Sequence, residues 1–154
     1  WVEGLLSTIY DVFLDQIIDG QIYTKAAGER DPAREHWTRL QELNLADNAL
    51  LIFDRGYYSK ELYEDLVSNG CNVLMRLRKD NKFCKLGSDD FSWTATSANG
   101  KPILYRVVKV PLPQKSKEAN EYLVTNIINP SISPSLLYNL YFERWGISKQ
   151  NTGN

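Results

Sequence analysis

Residues 49–58 read Ala49-Leu50-Leu51-Ile52-Phe53-Asp54-Arg55-Gly56-Tyr57-Tyr58. Five apolar residues without a polar break suit a central β-strand buried on both faces. The run stops at Asp54. A carboxylate just beyond the carboxyl end of such a strand lies where open α/β sheets hold their ligands. Asp-Arg-Gly is also a turn sequence, so capping the connection is the plainer role for Asp54. Arg55 beside it and two aromatics, Tyr57 and Tyr58, at the same mouth tip the reading toward a site.

Working outward, Ser59 caps a helix that carries Glu61 in its first turn, Leu62 and Leu66 one turn apart, and Gly70 as its stop. Cys71 to Leu77 then alternates like a strand. Upstream, Asp31-Pro32 opens a helix over 32–44, with Ala33, Trp37 and Leu40 at helical spacing. His36 is expected on the opposite, exposed side. Helix, buried strand, helix, strand is the connection pattern of an α/β domain with parallel central strands. Before it, residues 7–25 predict two strands with a hairpin turn at Asp19-Gly20.

The texture changes after Lys79. Residues 91–95 and 103–110 are strand-like, and Asn99-Gly100 between them is a strong hairpin signal. Pro111, Pro113 and residues 115–118 predict an exposed loop, residues 122–127 a further strand, and Ser133-Pro134 a last helix. The expected organisation is a core over 1–79, a basic β-rich insertion over 80–121, and a returning strand and final core helix over 122–154.

A chain of 154 residues supports one domain with a proper core. With 43% hydrophobic and 24% charged residues it is neither disordered nor fibrous. No apolar run approaches the ~20 residues of a membrane span. Trp1-Val2-Glu3-Gly4 does not resemble a secretory leader. Cys71, Cys84 and a lone histidine offer no zinc framework. Two thiols suit a reducing, cytoplasmic setting.

Net charge is −1, but its distribution is uneven. Residues 1–70 hold 6 Lys+Arg against 13 Asp+Glu, and residues 71–154 hold 12 against 6. Ten basic residues fall within 76–117: Arg76, Arg78, Lys79, Lys82, Lys85, Lys101, Arg106, Lys109, Lys115 and Lys117. Such a patch is the footprint of a phosphate-binding surface, or equally a solvated edge hairpin protected by lysines. On the last helix, Tyr141, Arg144 and position 148 are three and four residues apart and share a face. A guanidinium there clamps an anion bidentately, and an acid at 148 would hold a metal. Position 148 is Ser148, and on spacing alone an ordinary amphipathic last helix is the plainer reading.

Taken together, "LLIFDRG" (50–56) with Tyr57, "NVLMRLR" (72–78) and "LYFERWGI" (140–147) resemble the DDE transposases of bacterial insertion sequences, in the insertion-sequence-four-like group. "STIYDVFLDQIID" (7–19) and the Glu29 to Trp37 stretch add to the likeness, which covers 7–147. The resemblance implies an α/β, RNase H-like mixed sheet flanked by helices, with the β-rich insertion before the last helix. It further implies an Asp-Asp-Glu triad, two Mg²⁺ or Mn²⁺ ions, and in-line attack by water and then by a DNA 3′-hydroxyl on phosphodiesters. Transposon-end DNA would be the partner, with a homo-oligomer possible.

On that resemblance Asp54 matches the second Asp, a metal ligand, and Tyr141 and Arg144 match the phosphate-contacting Tyr and Arg. Arg76, Arg78, Lys79 and Lys82 would track the DNA backbone. Trp93 matches the region where some relatives stack a tryptophan on a flipped base, although core packing is its expected role. Two departures stand out. The first Asp should lie on a strand preceding the hairpin, and Ser148 occupies the Glu position. Glu143 cannot replace it, since five residues turn a helix by about 140° from alignment. The expectation is therefore a fragment of a catalytic domain that is inactive alone. The alternatives are a non-catalytic DNA- or protein-binding remnant, or another α/β hydrolase or nuclease pairing Asp54 with Asp11 or Asp15.

Overall fold

The structure, a computed structural model, describes residues 4–11, 16–24 and 30–143. They fall in two units, one within residues 1–49 and 143–154 and the other spanning Leu50–Phe142.

In the first unit β1 (Gly4–Asp11) and β2 (Gln16–Thr24) pair antiparallel, and α1 covers Arg30–Glu42. The expected turn at Asp19-Gly20 is not there: both residues sit inside β2, and the register pairs Asp11 with Gln16. Ile9 faces Asp19 while Tyr10 faces Ile17, so Ile18 is the extra residue of a bulge. A glycine next to an irregularity inside a strand is a common bulge signal that locally resembles a turn.

Asp19 is drawn inward by α1. Its Oδ2 lies 2.7 Å from His36 Nδ1, and His36 Nε2 lies 2.9 Å from Ser7 Oγ. A proton on Nδ1 leaves Nε2 to accept from the Ser7 hydroxyl, so both ring nitrogens are satisfied. His36 is thus buried, contrary to the exposed position expected for it. It follows Ala33 by three residues and precedes Leu40 by four, which places it at the border of the buried stripe. Burial alone would raise the Asp19 carboxyl; the hydrogen bonds from His36 and Gln21 outweigh that and hold it below its usual value. Tyr23 Oη donates to Glu35 at 2.7 Å and ties the same strand to the same helix.

The second unit is a five-stranded sheet in the order β3-β4-β7-β6-β5. The strands are β3 (Leu50–Phe53), β4 (Asn72–Arg76), β5 (Asp90–Thr96), β6 (Pro102–Pro111) and β7 (Asn120–Thr125). β3 and β4 run parallel and every other pair antiparallel, so the sheet is mixed. β3 pairs with β4 alone among the described residues and is half-buried. The strand expected to be fully buried is thus half-buried and, among the described residues, stands at the end of this sheet, because an apolar run reports suitability for burial and not the number of partners.

Two helices of this unit cover opposite faces of the sheet. On β6, Tyr105 and Val108 point to opposite sides because their spacing is odd. α2 (Lys60–Ser68) lies on the Tyr105 side: Tyr63 stacks on Tyr105 at 4.6 Å and its hydroxyl donates to Leu104 O at 2.7 Å. α3 (Pro134–Glu143) lies on the Val108 side, where Leu137 and Tyr141 join Leu74, Val108, Val110 and Leu123 in one buried cluster. Two of the expected caps are in place, whereas Asp31, expected to cap the first helix, lies inside α1, which begins at Arg30. Ser59 Oγ accepts from Leu62 N at 3.1 Å, and Ser133 Oγ accepts from Leu136 N at 3.1 Å. Residues 97–101 join β5 to β6, with Gly100 at φ +76°, a conformation glycine adopts without strain.

Candidate functional site

β3 and β4 are parallel, so both deliver their carboxyl ends to one edge of the sheet, and the polar side chains gather there. Asp54 follows β3 and is half-buried. Its Oδ1 accepts from the Arg55 backbone N–H at 2.6 Å, which is the turn-capping role, and from Tyr141 Oη at 3.0 Å. The second bond is the long-range one. α3 buries the Tyr141 ring in the cluster against Leu74 and Leu123, and this fixes its hydroxyl on a carboxylate 87 positions away in sequence. Asp54 and Tyr141, singled out separately, are brought together. Arg144 and Ser148 lie outside the described residues.

Beside Asp54 stands a dense ionic cluster. Arg55 Nη2 reaches both oxygens of Glu118, at 3.1 and 2.9 Å. Arg76, the last residue of β4, reaches Glu118 Oε2 at 3.3 Å and forms an ion pair through Nε with Glu121 Oε1. Lys79 Nζ lies 3.5 Å from Glu118 Oε1. Glu118 would be raised by desolvation, but Arg55 and Lys79 hold it below its usual value. Glu121 goes the other way. Burial raises its carboxyl, Arg76 and Arg55 oppose this, and the negative charges of Glu118 and Asp54 reinforce it. Glu118 and Glu121 were not among the predicted site residues. An acid on a loop and an acid opening a strand carry no local mark of their partners, so no sequence signal would have found them.

The basic region resolves into unlike members. Arg78 is exposed and pairs with Asp80 at 3.2 Å, and Lys82 is exposed with Nζ 5.4 Å from the Phe83 ring centroid. Arg106 does not belong to a surface patch. It is 3% exposed, binds Asp90 through two bonds of 2.9 and 2.8 Å, and donates to the Ile127 and Asn129 carbonyls. Its place on β6 gives it the α3 face, where only a paired guanidinium is tolerable.

Trp93 stacks on Phe91 at 5.3 Å and on Tyr105 at 4.8 Å, and meets Phe83 edge-on. Those contacts are packing against its cross-strand partner and its own strand. Tyr58 joins the same aromatic group through Tyr63 and Phe83, so its ring is turned away to the α2 side.

A family model described as Transposase DDE domain matches residues 3–147. The chain belongs to that family. No curated protein matches it. The mixed α/β sheet with its helices is accordingly the RNase H-like fold of DDE transposases.

Transposase domains of this family use divalent metals and act on DNA. The described residues do not by themselves fit a metal of that kind. Among them no three His, Cys, Asp or Glu side chains come together as a ligand set. Glu118 and Glu121 are engaged by cations, and Asp54 accepts from Arg55 and Tyr141. What this edge of the transposase domain presents is a set of cations around carboxylates. No helix among the described residues is long and apolar enough to cross a membrane.

Proposed function

We propose that this chain is part of an insertion-sequence-four-like DDE transposase catalytic domain that holds DNA by its phosphates and, alone, neither cuts nor joins it. The observation that carries the reading is the Tyr141–Asp54 hydrogen bond of 3.0 Å, which sets the family's phosphate-contacting Tyr on the carboxylate that matches its second Asp. Arg76, Lys79 and Lys82, with Arg78, are the residues proposed to follow the DNA backbone. Asp54 is proposed as one metal ligand of the parent enzyme, with Mg²⁺ or Mn²⁺ as the ion. Ser148 at the Glu position supports inactivity of the chain alone. Residues 80–121 are proposed as the insertion of the group; its strands β5 and β6 extend the core sheet through β7.

Fluorescence anisotropy with duplex DNA across a salt series tests this, alongside a strand-cleavage assay with Mn²⁺. Binding should weaken with a log–log slope of about −0.9 per phosphate contacted, and should collapse when Lys79, Lys82 and Lys85 become Glu. No binding, or binding indifferent to those lysines, refutes the DNA reading. Mn²⁺-dependent nicking that Asp54→Asn abolishes refutes the claim of inactivity. A non-catalytic remnant is the second reading, supported by the engagement of Glu118 and Glu121 with cations; it predicts no strengthening of DNA binding by Mn²⁺.

A further inference from the structure

One carboxylate, Glu118, is gripped by three cations that come from two different strand ends. Arg55 touches both its oxygens, Arg76 one and Lys79 the other, all within 3.5 Å. The anchoring is unequal. Arg55 and Arg76 are fixed at the ends of β3 and β4, the parallel pair of the sheet. Glu118 rides on the connection between β6 and β7, whose residues 113–117 are exposed. That loop is closed mainly on itself, by Leu112 N to Ala119 O at 2.9 Å, Ser116 N to Pro113 O at 2.8 Å, and Glu118 N to Ser116 Oγ at 3.4 Å. Moving the acid therefore disturbs little, whereas moving the cations would disturb the sheet.

The grip is also incomplete. Arg55 Nε is buried and makes no hydrogen bond among the described residues. A carboxylate offers two oxygens in one plane. A tetrahedral phosphate presents its oxygens in more directions and can take the idle Nε together with Nη2. Glu121 would go on neutralising part of Arg76, so the vacated cluster keeps an excess of positive charge matched to a phosphodiester.

We propose that Arg55, Arg76 and Lys79 form a phosphate-binding site which Glu118 occupies as an internal anion, so that phosphate binds only while Glu118 and the residue 112–119 loop are out of the site. The proposal rests on the reading that this chain holds DNA by its phosphates, and it adds Arg55 as a ligand and Glu118 as the competitor.

The test uses the whole chain and Glu118→Ala, with Glu118→Gln as a gentler variant that keeps the loop's shape, each checked for folding by circular dichroism. Inorganic phosphate is titrated calorimetrically in chloride buffer, and duplex DNA by anisotropy across salt. If Glu118 fills the site about nine-tenths of the time, its removal tightens phosphate about tenfold. Removing it also steepens the DNA salt slope by about 0.9, one further phosphate. Arg55→Met added to Glu118→Ala should abolish both gains. Unchanged or weaker phosphate binding by both Glu118 variants overturns the proposal, since the acid then organises the cations instead of competing for them. A gain that survives Arg55→Met overturns it too, as a general charge effect. Tighter phosphate with no DNA bound by any form supports the site and refutes the DNA reading, with free phosphate then its ligand.

Discussion

The Arg106–Asp90 pair allows a quantitative test of whether a basic residue in this region serves the fold or the surface. Arg106 is 3% exposed and Asp90 is 38% exposed. Replacing Asp90 with Ala leaves a buried guanidinium with two backbone carbonyls as its remaining partners. Removing one member of a buried pair costs about 3–5 kcal/mol, and because Asp90 is partly hydrated already the lower end, about 3 kcal/mol, applies. Arg106→Met removes the buried charge itself. Asp90 then recovers water, and the carbonyls of Ile127 and Asn129 lose a donor near solvent, for a loss of about 1–2 kcal/mol.

The acid, though more exposed, should therefore matter more than the base. With a urea slope of about 2 kcal/mol/M, Asp90→Ala lowers the midpoint by about 1.5 M and Arg106→Met by about half that. The corresponding melting temperatures fall by about 6–12 °C and about 2–8 °C. Chemical denaturation followed by circular dichroism measures both. Arg106→Met as damaging as Asp90→Ala, or either change costing under about 0.5 kcal/mol, refutes the account of a buried charge in need of its partner.

Three further outcomes follow from the geometry. Ser59→Ala should destabilise by about 1 kcal/mol, read as a lowered urea midpoint, and Ser59→Asp should restore it, because the side chain caps Leu62 N. The Asp19 carboxyl is held below its unfolded value, so its contribution is fully present above about pH 4 and is lost as pH falls through the lower, folded value. The stability gap between the parent chain and Asp19→Asn should accordingly hold its full width above about pH 4 and narrow as the pH falls below that; a gap independent of pH would contradict the His36–Asp19 contact. Burial pushes the Cys71 thiol up to about 12, and Cys84 is raised less far, by partial burial and then Asp80. A thiol reagent at pH 8 should label Cys84 in the folded chain and Cys71 only after unfolding, which mass spectrometry of the labelled peptides resolves.

Features written in a few neighbouring residues were legible in the sequence. Ser59 and Ser133 cap their helices because a hydroxyl reaches an N–H three residues on, and Asn99-Gly100 makes its hairpin because glycine accepts a positive φ. The string ending at Asp54 was enough to mark a strand and the residue at its carboxyl end. Asp19-Gly20 misled because a bulge and a turn share their local signature, and only pairing with β1 distinguishes them. His36 misled because its burial depends on Ser7 and Asp19 meeting it from the hairpin.

The sequence by itself determined the order of the strands and α-helices, the Ser59 and Ser133 caps and the family, since each depends on local spacing or on motifs kept in order along the chain. Only the tertiary structure decided which charges face one another. Arg55 meets Glu118 across 63 positions and Tyr141 meets Asp54 across 87. A charged side chain states that it needs a partner or water, but its spacing does not say which. Parallel pairing of β3 with β4 brought Arg55 and Arg76 to one edge of the sheet, and the return of β7 beside β4 brought the carboxylates to them.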